Sequence, residues 1–381
     1  MNGKKNFKTA MALFALVIVV FSMRISTSFA STFTAYLAAR EFEQTMPGGE
    51  IVTMYGFVQD SNRNLENYCG EIPTAPGPLI NIPSTKDVLR IKLRNDLGVP
   101  VSLMIPGLEQ TSGKDPHRDD LDSTGRMRVT SFREETQPHT IGTYEWKTRP
   151  GTFMLRSGSN PAVQVQMGLY AGVKQDYRST RQAYKEVTTR HIAEQMIFFS
   201  EIDPDLHKAV ADGSYGTPAY PSTIHYKPKY FLINGGNASS LVVGRRRETV
   251  LLRLFNTGLQ PRVPTLLGPN WEVIAEDGYA YNYSKNDQYS TLLTAMKTKD
   301  ILLKIPSSAR TGDRYPLFDR KLGLMNNVNV DLMDINDPES GMLTYLEVGA
   351  RPRSGSGLWP WGAPKTSGSY DTDQNCVRVI D

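Results

Sequence analysis

Apolar and polar positions alternate along the chain in short runs. Residues 87–95 (DVLRIKLRN) set Val88, Leu89, Ile91 and Leu93 against Arg90, Lys92 and Arg94. That period of two predicts a strand with one buried and one wet face. Residues 50–58, 79–82, 101–104, 128–132 and 143–146 are short, β-branched or alternating, and also predict strands. Residues 109–127 read as a long polar loop. Residues 151–173 (GTFMLRSGSNPAVQVQMGLYAGV) read as a strand, a polar loop and a second strand. Within that stretch Val163 and Val165 alternate with Gln164 and Gln166, and Gly168 and Gly172 suit a close approach of backbones. Residues 31–45 mix both classes and predict a short helix or arm; residues 177–187 are charged and predict a linker helix.

The pattern then restarts. Residues 196–199, 229–234, 271–275, 300–305 and 314–318 are further strand candidates. Residues 248–256 (ETVLLRLFN) share the grammar of residues 87–95: a leading acid, a basic residue inside and a closing Asn. Pro264-Thr265-Leu266-Leu267-Gly268-Pro269 then stands where Ser102-Leu103-Met104-Ile105-Pro106-Gly107 stood. Short strands, turn chemistry between them and no long helical period predict an all-β fold of two tandem Greek-key β-sandwiches. The expected layout is a signal peptide (1–30), an arm (31–48), a first sandwich (49–176), a linker (177–190), a second sandwich (191–349) and a tail (350–381) carrying Trp359-Pro360-Trp361.

The amino terminus changes the reading of charge. Lys4, Lys5 and Lys8 precede an apolar run, and Ser28-Phe29-Ala30 resembles a small-x-small cleavage site, the plan of a secretory signal. An uncleaved anchor fits less well, because the run falls short of the roughly 20 residues a spanning helix needs. Without residues 1–30 the chain keeps 39 of its 43 basic residues against 39 acidic ones. A near-neutral protein gives no electrostatic case for nucleic acid. The one basic run, Arg245-Arg246-Arg247, reads as a solvated hairpin end. Export, to the periplasm or beyond the cell, would permit the two cysteines, Cys69 and Cys376, to pair.

The stretch 151–173 resembles a signature of the multicopper oxidases, which are built from cupredoxin β-sandwich domains. In that family a Gly-Thr-aromatic strand enters a His-x-His pair and returns through Met-Gly-Leu-Tyr-Gly. Here the frame is kept, but Arg156 and Gly158 stand at the two histidine positions. Residues 101–108 (VSLMIPGL) resemble the His-Trp-His-Gly strand, with Met104 and Pro106 at its ligand positions. Tyr230-Phe231-Leu232-Ile233-Asn234-Gly235, Ser200-Glu201-Ile202-Asp203-Pro204 and Ala275-Glu276-Asp277-Gly278 resemble segments of the family's copper-free middle domain. A last domain with the His-Cys-His run has no counterpart.

The resemblance therefore implies a degenerate member without resident copper. A blue-copper site needs two imidazoles and a thiolate on one metal. The five histidines, His117, His139, His191, His207 and His225, are scattered, and neither cysteine has a histidine at ligand spacing. Asp120-Leu121-Asp122-Ser123-Thr124-Gly125 begins like a calcium loop, but its twelfth position, Ser131, lacks the required carboxylate. No catalytic, cofactor-binding or metal residue is assigned. The expected function is an exported structural or protein-interaction module with an unidentified protein partner. The alternative is a copper-dependent oxidoreductase completed by a partner chain that brings the missing copper domain.

Overall fold

Strands dominate the computed structural model, which describes residues 30–60, 63, 65, 72–119, 125, 127–178, 181–236, 240–282, 287–324, 326 and 341–349. Outside these residues lie residues 1–29, which make up nearly all of the expected signal peptide, Cys69, Cys376, residues 120–124 and the tail. The chain divides into two units, Met1–Ser31 and Thr32–Asp381, and both sandwiches lie in the second.

The first half contributes β1 (Thr32–Thr45), β2 (Ile51–Gln59), β3 (Gly77–Ile82), β4 (Val88–Asn95), β5 (Leu103–Met104), β6 (Glu109–Ser112), β7 (His117–Arg118), β8 (Val129–Ser131), β9 (Ile141–Lys147), β10 (Gly151–Ser157) and β11 (Tyr170–Gln175). The second contributes β12 (Ala193–Ile202), β13 (Tyr230–Ile233), β14 (Leu241–Gly244), β15 (Thr249–Asn256), β16 (Pro264–Leu266), β17 (Trp271–Glu276), β18 (Tyr279–Ala280), β19 (Asp287–Gln288), β20 (Thr298–Lys304), β21 (Arg314–Asp319) and β22 (Leu343–Val348).

The two halves repeat one topology. Sheets β2-β1-β4-β9-β6 and β3-β11-β10-β5 in the first correspond to β13-β12-β15-β20-β17 and β14-β22-β21-β16 in the second. β1 runs parallel to β4 as β12 does to β15, and β3 runs parallel to β11 as β14 does to β22. The repeat extends to single atoms. Asn95 donates to Val99 O and Thr136 O and accepts from Leu97 N. Asn256 donates to Gln260 O and Leu293 O and accepts from Gly258 N. The closing Asn of both motifs thus ties the loop after its strand to a second loop.

β4 buries Leu89, Ile91 and Leu93 and leaves Arg90, Lys92 and Arg94 half-exposed, as its alternation requires. Each sandwich encloses its own core, around Trp146 and Phe57 in the first and Trp271 and Leu252 in the second. A third apolar cluster joins them. Met54, Met154 and Tyr170 of the first half meet Met196, Phe198 and Phe255 of the second. The Phe198 and Phe255 rings stack at 4.2 Å, with Tyr170 6.5 Å beyond Phe198. Each large side chain so buried contributes about 1.5–3 kcal/mol.

Four expectations are corrected. Residues 31–45 form β1, which is paired with β2 on one side and β4 on the other. Val163 and Val165 belong to a single helical turn, Pro161–Gln164, and the turns after it. Residues 177–187 contain no helix among those described; Ala183 and Tyr184 instead pack on Leu251 and Leu302 of the second sandwich. The 109–127 loop includes β6 and β7. Of the two glycines, Gly168 does lie against backbone, since a Cβ would stand 2.1 Å from Tyr55 O. Gly172 instead makes room for the Phe198 and Phe255 rings, 3.2 and 3.4 Å from its would-be Cβ.

Candidate functional site: the outer face of β10

β10 is buried on both faces because the second sandwich covers its outer side. Along that side stand Thr152, Met154, Arg156 and, just past the strand, Gly158. Thr152 and Met154 lie within the contact between sandwiches, and Arg156 is half-buried at its rim. β5 pairs antiparallel with β10, so Met104 sits directly across from Arg156. A Cβ at Gly158 would stand 2.7 Å from Ser102 Oγ and 3.6 Å from both Met104 Sδ and Arg133 Cγ. Three of the four positions singled out in the sequence, Met104, Arg156 and Gly158, therefore share one face. Pro106 is exposed in the turn after β5.

Buried hydroxyls fix the loop that overlies this face. Ser131 Oγ lies 2.8 Å from Ser102 Oγ and donates to Arg133 O, while Ser159 Oγ donates to Glu135. Phe132 N donates to Gly158 O. Burial lowers the Arg156 pKa from its ordinary value, and the carboxylate of Asp277, from the second sandwich, opposes that shift.

Deeper in the contact lies an ion network. Arg253, on β15, is fully buried. It reaches Asp176 at 2.5 Å, Glu194 at 3.1 Å and Asp300 at 3.7 Å, and donates to Thr152 Oγ1 at 2.7 Å. Lys174 pairs with Glu194 and, at 3.4 Å, with Asp176. Thr152 and Tyr184 both donate to Asp300. Burial opposes charge on Glu194, but Arg253 and Lys174 outweigh it and hold the carboxyl at about 2. Burial, then the Arg253 charge, lowers His191 to about 4. Burial raises Asp300, against the pull of Arg253. Burial would lower Arg253, but Glu194, Asp300 and Asp176 raise it.

Among the described residues one group brings three metal-type donors together: Asp176, His191 and Glu194, within 4.8 Å of one another. All four of its carboxylate oxygens already face Arg253 or Lys174. A metal ion would join two cations already in place, so this group is an ion-pair network between sandwiches. Of the other histidines, His207 is buried with Nδ1 2.7 Å from Thr53 O, while His117, His139 and His225 are exposed. The sequence signal for Arg253 was a lone charge in an apolar strand; Asp277 stood out only within the Ala275-Glu276-Asp277-Gly278 resemblance, and Arg133 carried no signal.

No family model matches the sequence, and no curated protein matches it. Solved structures do. A blue copper oxidase from Nitrosomonas europaea matches 84% of this chain and 86% of its own, at 15% identity and a TM-score of 0.58. The multicopper oxidase mgLAC matches 91% of this chain and 93% of its own, at 16% identity and a TM-score of 0.59. A copper nitrite reductase from Nitrosomonas europaea matches 84% of this chain and 94% of its own, at 15% identity and a TM-score of 0.56. The fold is that of the multicopper oxidases.

These structural neighbours are copper proteins by name, so the four side chains face a chemical test. Copper takes imidazole, thiolate or thioether donors. Met104 offers one thioether; Pro106 and Gly158 offer no donor; Arg156 brings a positive charge to the shared face. This set does not fit a copper ion. Among the described residues no helix is long and apolar enough to cross a membrane.

Proposed function

We propose that this chain is an exported protein of multicopper oxidase fold that acts as a structural or protein-interaction module and not as a copper enzyme. One observation carries the reading: Arg156 and Met104 face each other at two of the positions where the resemblance puts imidazoles. A guanidinium there disfavours any metal cation, whatever the surrounding sheets preserve. The amino-terminal signal supports export to the periplasm or beyond, where Cys69 and Cys376 could oxidise. Mass mapping of the unreduced, exported protein tests both the cleavage near Ala30 and the pairing.

The deciding experiment is copper analysis of the purified mature protein after incubation with cupric and cuprous ions. We expect substoichiometric copper and no blue or near-ultraviolet charge-transfer band. Stoichiometric uptake with oxidation of a phenol would defeat the reading. The second reading is a copper oxidase completed by a partner chain. It rests on the shared multicopper oxidase fold. It requires copper-dependent turnover that appears only when the partner is added.

A further inference from the structure

Two arginines, Arg156 near the end of β10 and Arg133 in the loop that overlies it, make no side-chain ion pair among the described residues. The Arg156 side chain makes no hydrogen bond or ion pair among the described residues, although the Asp277 charge acts on it, and its Nε is buried without a partner. The Arg133 Nε is likewise buried and unpartnered, and its guanidinium donates only from Nη1 to Phe132 O. The would-be Cβ of Gly158 lies 3.6 Å from Arg133 Cγ, and Arg156 precedes Gly158 by two residues on the same face. A Cβ at Gly158 would crowd Ser102 Oγ at 2.7 Å, and Met104 Sδ lies 3.6 Å from the same point, so the two arginines flank a position that glycine leaves open.

The acid that acts on Arg156, Asp277, is already engaged, and Glu135, two residues from Arg133, accepts from Ser159 Oγ. Asp277 Oδ1 accepts from Thr298 N, and Oδ2 faces Lys297 at 3.4 Å. Lys297 and Lys299 both pair with Glu276, and Arg149 donates to Gly278 O while lying 3.8 Å over the Tyr279 ring. Arg149, Arg156, Lys297 and Lys299 thus outnumber Glu276 and Asp277 at this part of the rim, while Arg133 is followed in sequence by Glu134 and Glu135. A desolvated guanidinium without an acceptor is costly, and its planar fork matches the two oxygens of a carboxylate or phosphate. Domain boundaries are also where ligand sites concentrate.

We propose that Arg156 and Arg133 form a binding site for a small oxyanion, a carboxylate or phosphate group, at the rim between the sandwiches. It rests on the reading that this face holds no copper. The site takes a ligand of opposite charge to a metal.

The test uses the mature protein, with citrate and inorganic phosphate as probes and chloride at matched ionic strength as control. Calorimetric titration and the thermal midpoint are read in parallel. We expect saturable binding and a rise in midpoint for at least one probe. Binding should vanish in Arg156→Met, and Arg156→Lys, which keeps the charge and loses the fork, should bind about tenfold more weakly. A response to citrate alone assigns a carboxylate, to phosphate alone a phosphate group, and to both an oxyanion site without that preference. If Arg156→Met does not fold, Arg133→Gln, expected to weaken binding, replaces it. Equal binding by wild type and variants, or no response beyond chloride, overturns the proposal. A null result in protein that also takes up no copper sinks this proposal alone, whereas copper uptake sinks the reading beneath it.

Discussion

At the scale of the residue, His191 links the ion network to pH. Its imidazole is held at about 4 instead of 6.5, so between those values the unfolded chain binds more protons than the folded one. Stability therefore falls as pH drops from 6.5 to 4. Glu194, held at about 2 instead of 4.5, adds stability above 4.5 that is lost as pH falls toward 2. Asp300, raised by burial, acts in the opposite sense and moderates the profile. Urea midpoints at pH 7, 4 and 3 should decline stepwise in the wild type. In His191→Gln the step from 7 to 4 should shrink and the step from 4 to 3 persist; an unchanged first step would show that His191 does not carry it. Little in the order of residues foretells this network. Its members come from β10, β11, β12, β15, β20 and the connection between sandwiches, and no local spacing records such a meeting.

At the scale of the element, caps and burial decided what could be read. Helix Pro204–Ala211 opens on Asp203, which accepts from Asp205 N and Leu206 N while its other oxygen accepts from Tyr220 and Lys227 N. Asp203→Ala should cost about 2 kcal/mol, the upper end for a cap, because those partners lose their acceptor as well. Urea unfolding checks this, and a loss below a few tenths would deny the cap its role. Strands with one wet face, such as β4, were legible because alternation survives there. β15 shares its grammar with β4, yet all but its first residue are buried: Leu251 lies under the connection, Arg253 in the ion network and Phe255 in the shared cluster. β1 was missed because Ala38 and Ala39, small and fully buried, interrupt its alternation. Gln164 and Gln166 passed for wet positions although both are buried. Gln164 bonds Ser157 and Pro100 O, and Gln166 bonds Tyr226 and Thr257 O.

At the scale of the whole molecule, two sandwiches share one apolar contact and one ion network, so they should unfold together. Single-tryptophan variants keeping either Trp146 or Trp271, each buried in its own core, should report the same urea midpoint. Phe198→Ala should destabilise by about 3–5 kcal/mol as read by both reporters. Separate midpoints in the wild type would refute the coupling. The repeat was legible in the sequence through the two Asn-ended strands, because each obeys the same loop-closing demand. How the repeats face each other was not legible, since that depends on surfaces far apart in the chain. The shared wall of Met154, Tyr170, Phe198 and Phe255 carries a consequence for inheritance. A gene fragment encoding either half would leave its product with a greasy flank and clumping in water, so the halves are bound to travel in one reading frame.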